Sequence, residues 1–119
     1  MIKQKLQQIK SGELTAEQNI MGFITKIRKD NPQINAVLRL NERAVDEARE
    51  IDKKIKKGKA GKLAGLGIIV KSNINVKGVI CNCASKTLEN YRATYNATVI
   101  DKLTFEKGKH LKKVIILKK

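Results

Sequence analysis

Ile2, Leu6 and Ile9 are spaced by four and then three positions, which is one face of a helix, and Ser11-Gly12 ends it. Thr15-Ala16-Glu17-Gln18 follows as a capping box, with the Thr hydroxyl closing the start of a helix and Gln18 reaching back to it. That second helix carries Ile20, Phe23, Ile24 and Ile27 on one side, and Asn31-Pro32 is expected to stop it, because the residue before a proline avoids the helical region. Ile34, Ala36, Leu38 and Leu40 then alternate with Asn35, Val37 and Arg39, a period of two that predicts a short strand. Asn41 is placed to cap a third helix, whose apolar face is Val45, Ala48, Ile51 and Ile55. Acidic residues crowd the first part of this helix and lysines its end, a polarity that complements the helix dipole, with Gly58 as its left-handed stop.

From Gly58 the texture changes. Five glycines fall between residues 58 and 78, and among them Ile68-Ile69-Val70 forms a continuous apolar run, which suits a strand buried on both faces. Residues 74–76 and 79–81 flank Lys77-Gly78, a turn or hairpin. Residues 84–91 and 97–103 each read as a short helix, and Val114-Ile115-Ile116-Leu117 as a last strand between lysine pairs. The order is helix, helix, strand, helix, strand, loop, short helices, strand, an α/β arrangement. It divides into a helical segment over 1–60, the start of an α/β core over 61–103 and a basic tail over 104–119.

With 119 residues the chain fits one small domain with a limited core. Aromatic residues are 3% and Trp is absent, so Ile, Leu, Val and Ala must build that core. The net charge of +15 divides into +6, +4 and +5 over residues 1–60, 61–103 and 104–119, which makes the tail the most basic segment per residue. Such charge draws polyanions by a sequence-independent attraction; the alternative is a solvated, lysine-rich surface. Cys81 and Cys83 are too close in sequence for an ordinary disulfide, and with His110 alone nothing completes a zinc site. They read as free thiols of a reducing, cytoplasmic compartment. Asn96-Ala97-Thr98 matches a glycosylation sequon, but nothing else in the chain suggests secretion. No apolar run approaches the ~20 residues that span a bilayer, and no signal-peptide core is present, so no membrane partner is expected. No cofactor is expected either.

Lys71 is the candidate for chemistry. It directly follows Ile68-Ile69-Val70, and loops at the carboxyl ends of parallel strands are where α/β sheets place their ligands. A lysine in a site of low polarity gives up its proton more readily and can then act as a general base. The alternative is a lysine that simply leaves a strand into solvent.

The wider window bears on that choice. Residues 63–74, ending Val70-Lys71-Ser72-Asn73-Ile74, resemble the opening of the amidase signature. Cys83-Ala84-Ser85-Lys86-Thr87-Leu88 resembles the next block of that family, and residues 96–103 resemble its following helix. Gly12-Glu13-Leu14-Thr15-Ala16-Glu17 and Asn31-Pro32-Gln33-Ile34-Asn35-Ala36 resemble the N-terminal helices of its amidotransferase A subunits, in the form that serves glutamyl-tRNA(Gln) and aspartyl-tRNA(Asn); Ser72 resembles the archaeal variant. The resemblance covers residues 1–103 in order. It implies the N-terminal helices and first strands of an amidase-signature mixed sheet, truncated. It also implies glutamine as substrate, amidotransferase subunits B and C as partners and, through them, tRNA. Lys71 would be the general base of a Ser–cis-Ser–Lys triad.

The departures are equally specific. The serines are Ser11, Ser72 and Ser85, none within a Gly/Ser-rich stretch, so the bridging and nucleophilic serines of such a triad are missing. A base without a nucleophile has nothing to activate, which implies a chain that is inactive alone. Gly67 stands where many members have Pro and Asn96 where many have Asp, and residues 104–119 match poorly, which reads as a truncated or frameshifted product. Two other readings follow from the same residues. One is a small basic module that binds tRNA or docks on the partner subunits, against which the scarcity of aromatics counts. The other is a remnant without function. An apolar strand without neighbours further implies low stability or self-association.

Overall fold

The computed structural model describes residues 1–106, 109–110 and 114–118. Helix α1 spans Ile2–Ser11 and ends on Gly12 in the left-handed region at φ 80°. Of its predicted apolar face, Ile9 is buried and Leu6 half-buried, while Ile2 faces solvent.

Helix α2 spans Ala16–Ile34. Its capping box forms as the sequence requires: the Thr15 hydroxyl accepts the Gln18 N–H at 3.0 Å, and the Gln18 side chain accepts the Thr15 N–H at 3.0 Å. A second cap comes from far away. The Asp52 carboxylate accepts the N–H of Ala16 at 2.7 Å and of Glu17 at 3.1 Å. The start of a helix leaves four such donors without partners, and here all four, from Thr15 to Gln18, are met.

Contrary to the expected stop at Asn31-Pro32, α2 runs through Pro32 to Ile34. Proline costs most inside a helix, where both a hydrogen bond and a neighbouring carbonyl are disturbed, and Pro32 sits in the last turn. The end is made instead by Asn35, left-handed at φ 46°, whose N–H bonds Asn31 O at 2.7 Å. The predicted strand over 34–40 does not form either. Ile34 belongs to the helix, and the Asn31 amide takes both backbone groups of Val37, at 2.8 Å each, in place of a strand partner. Only a single bridge position, at Arg39, remains of it.

Helix α3 spans Ala44–Lys56. Asn41 prepares its start rather than capping it directly: its side chain accepts the Arg43 N–H at 3.0 Å and its carbonyl the Ala44 N–H at 3.0 Å. Its end follows the sequence reading. Gly58 is left-handed at φ 65°, with Gly58 N–H on Ile55 O at 3.0 Å and Lys59 N–H on Lys54 O at 2.9 Å, the paired bonds of a Schellman motif. Helices α2 and α3 pack through Ala16, Ile20, Ile24, Ala44, Ala48 and Ile51, joined by Ala64 from the following loop. The three helical alanines are fully buried, and their small side chains let Ile20 and Ile51 fill the space between the axes. Each of those isoleucines contributes about 1.5–3 kcal/mol by leaving water.

Strand β1, Leu66–Val70, lies beside β4, Val114–Lys118, in parallel, with Leu66 opposite Val114 and Val70 opposite Lys118. Helix α4, Thr98–Thr104, lies between them in sequence, followed by a small antiparallel pair of β2, Phe105–Glu106, and β3, Lys109–His110. The β1 run is less enclosed than predicted. Val70 is buried, but Ile69 is 50% exposed, and β4 is the one hydrogen-bonded neighbour of β1 among the described residues. A second apolar cluster joins Val70, Val76 and Ile100.

One further expectation is narrowed and another corrected. The Lys77-Gly78 turn exists, closed by Val79 N–H on Val76 O at 2.9 Å with Gly78 at φ 78°, but its arms do not pair with each other. Val76 goes into the second cluster, and residues 78–81 pair with 91–93 instead, through Gly78 N–H on Ala93 O, Ala93 N–H on Val79 O and Cys81 N–H on Tyr91 O. Residues 84–91 form successive turns, not a helix. Cys83 and Ala84 are left-handed at φ 49° and 58°, and the bonds that follow span three residues rather than four.

Candidate active site

Lys71 is the first residue beyond β1, at the carboxyl end of the parallel β1–β4 pair. Its carbonyl accepts the Ile74 N–H at 3.0 Å, which folds residues 71–74 into a tight turn. The side chain is exposed, and among the described residues its ammonium has no hydrogen bond or ion pair. The strand therefore fixes the backbone from which Lys71 projects, while no described residue covers the amine itself.

The neighbouring loop is held by one atom. The Ser72 carbonyl accepts the Cys81 thiol at 3.1 Å and the Cys83 N–H at 3.3 Å. This draws the 81–83 segment against the turn that carries Lys71. Cys81 is buried as the anchor of that contact, and Cys83 is exposed. The two consecutive left-handed residues lie directly beside this contact, and Asn82 steadies them by accepting the Ala84 N–H at 3.2 Å. Non-glycine residues in that region are strained and persist only where their surroundings impose it. On the other side, Asn75 O accepts the Ala97 N–H at 2.9 Å, and the Asn96 side chain accepts the Lys77 N–H at 2.7 Å while donating to Asp101 at 3.0 Å. Helix α4 thus clamps the far end of the same loop.

The three serines are dispersed. Ser11 ends α1 and donates its hydroxyl to Gln8 O at 3.1 Å. Ser72 adjoins Lys71 in the chain, and Ser85 lies in the turns after the left-handed pair. None donates to or accepts from the Lys71 side chain among the described residues. No group of His, Cys, Asp and Glu side chains able to hold a metal occurs among the described residues.

Sequence reasoning missed Asp52 as the cap of α2 and Asn96 as the clamp of the 77–78 turn. Both bonds join residues far apart in sequence, so no local spacing announces them.

The model of the Amidase family matches residues 18–108, three quarters of the chain, and this stretch holds both Lys71 and the loop around it. The chain belongs to the amidase family. Among amidase relatives, the A subunit of glutamyl-tRNA(Gln) amidotransferase from Methanothermobacter thermautotrophicus is 49% identical over 106 residues, 87% of this chain and 23% of the relative. The protein of the same name from Methanobrevibacter smithii is 46% identical over 107 residues, 88% of this chain and 24% of the relative. A solved amidase, the native peptide amidase of Stenotrophomonas maltophilia, superposes with a TM-score of 0.81 at 25% identity, covering 94% of this chain and 22% of that one. The amidase resemblance read from the sequence is borne out, and so is the fold class. The chain spans about a quarter of the length of the curated relatives it matches.

Proposed function

We propose that these residues are the general-base-bearing part of an amidase of the amidotransferase A-subunit type. In this reading the complete unit hydrolyses the amide of glutamine and supplies ammonia for tRNA-dependent transamidation, in company with amidotransferase subunits B and C. Lys71 takes the proton that an attacking hydroxyl must lose. The observation that carries the reading is the place of Lys71 at the carboxyl mouth of the β1–β4 pair, in Val-Lys-Ser-Asn-Ile, inside the stretch matched to the family. The relatives at 46% and 49% identity support the amidotransferase branch. A buried, covered lysine is what such a base requires, so the cover and the hydroxyls that Lys71 serves belong to parts of the amidase unit other than the described residues.

The polypeptide of 119 residues is accordingly inert by itself toward glutamine, since Ser11, Ser72 and Ser85 do not engage the lysine. A glutaminase assay on the purified chain should show no turnover; turnover that vanished in Lys71→Ala would overturn this. The role of Lys71 is tested in a chimera in which residues 1–106 replace the matching part of the Methanothermobacter thermautotrophicus protein. Loss of a general base costs about 10²–10⁴-fold in rate, so Lys71→Ala in an active chimera should fall by that factor. An active chimera indifferent to the substitution would remove Lys71 from the mechanism.

A further inference from the structure

Strand β1 is bonded along one side. It pairs with β4 from Leu66 to Val70, and none of residues 67–70 makes a backbone bond outside that pair among the described residues. The N–H and C=O groups that point away from β4 are therefore open to a further strand. Side chains alternate between the two faces of a strand. Ile68 and Val70 thus share the face of the second apolar cluster, and Ile69 lies on the opposite one, 50% exposed. Parallel sheets ordinarily have both faces covered.

Both apolar clusters close within the chain. Ile20 and Ile51 are fully buried between α2 and α3, and Val70, Val76 and Ile100 are buried together. The open side of β1 is accordingly a joint between bodies, not a cut through a core. Helix α2 also exposes Met21, Phe23 and Ile34, but a helix has no unpaired backbone to offer along its length. The relatives indicate what lies beyond the joint. The chain superposes on the peptide amidase over 94% of its own residues yet accounts for 22% of that protein, and for 23% and 24% of the two A-subunit relatives. The same elements stand there inside a much larger fold.

We infer that the open side of β1 is a docking surface for the remaining part of an amidase fold, and that it accepts this part as a separate polypeptide. A strand of the incoming body adds to the outer edge of β1, and its apolar side chains cover Ile69. In this mode backbone bonds supply affinity and alternate side chains supply specificity. Lys71 is the next residue along, so the docked body also reaches the exposed amine; that last step rests on the function proposed above, whereas the docking does not. A second copy of this chain is the competing occupant. Two copies joined through the same edge are related by a twofold axis, so their β1 strands run antiparallel and hold the two Lys71 residues at opposite ends of the pair.

The test co-expresses the whole chain with a tagged Methanothermobacter thermautotrophicus A subunit that lacks the part matched to this chain. The two should purify together in equal amounts, and the outward amides among residues 67–70 should exchange roughly tenfold or more slowly than in the chain alone. Ile69→Lys should weaken capture by roughly tenfold or more, because it puts a charge where an apolar cover seats. Met21→Lys, on the exposed side of α2, should be captured fully. Exchange protection of α2 reports whether each variant is folded, and the amides of β1 decide the matter without any variant. A tagged part that purifies alone or stays insoluble beside the chain would overturn the proposal. So would equal losses in the two variants, or the same protection of β1 produced by concentrating the chain by itself. Lys71→Ala should be captured as well as the unmodified chain. A complex that forms yet hydrolyses no glutamine keeps the docking surface and counts against the function proposed for Lys71.

Discussion

Gly58 and Gly65 are both left-handed, yet replacement by alanine should affect them differently. At Gly58 an added methyl group meets nothing within 4 Å, so the cost is conformational, about 1–2 kcal/mol. At Gly65, where the loop enters β1, the same methyl would lie 3.1 Å from Ala16 Cβ and from two carbons of Ile9. Overpacking of that kind adds about 1–3 kcal/mol to the same backbone strain. Denaturant titrations should therefore rank Gly65→Ala below Gly58→Ala in stability; equal losses would mean that the junction of α1, α2 and β1 yields easily. The glycine at 58 was legible from its place after a lysine-rich helix end. The need for glycine at 65 was not, since it arises from Ile9 and Ala16, dozens of residues earlier. Lys71 was legible for the opposite reason: the strand before it and the motif around it are contiguous. Its surroundings, the Cys81 thiol on Ser72 O and the Asn96 clamp, are contacts across the fold that carry no periodicity.

The elements succeeded or failed in the sequence reading according to what ends them. Helices α1 and α3 stop on glycines whose conformation the sequence states. Helix α2 passes its proline because the competing stop, Asn35 with the Asn31 side chain on Val37, is a side-chain arrangement that no hydropathy pattern encodes. The same arrangement removed the predicted strand. Replacing Asn31 with alanine should free the backbone of Val37 and cost about 1–3 kcal/mol, since two partly buried backbone groups lose their partner. A change below a few tenths of that, measured by thermal unfolding, would show that water replaces the amide without loss. The left-handed pair at Cys83 and Ala84 explains the failed helix over 84–91 in the same way: the composition favours a helix, and two backbone angles forbid its start.

For the molecule as a whole, the apolar surface is unevenly covered. The α2–α3 layer encloses Ile20, Ile24 and Ile51 with its three buried alanines but leaves Met21, Phe23 and Ile34 of α2 exposed, and Ile69, Leu88, Tyr91, Tyr95 and Val99 remain exposed around β1 and α4. A parallel strand pair open in this way is a template for further pairing. The isolated chain should self-associate with rising concentration, which sedimentation velocity measures; a sharply melting monomer at all concentrations would contradict this.

The bond from Asp52 to the first turn of α2 reaches back across thirty-six residues. Two N–H donors that start one helix thus find their acceptor in a carboxylate near the end of another. During synthesis, the leading turn of α2 must wait, incompletely tied, until the chain has emerged well past its own end. Maturation of the two helices is then a single event, and the amides of Ala16 and Glu17 should exchange with solvent only when the packed pair opens together.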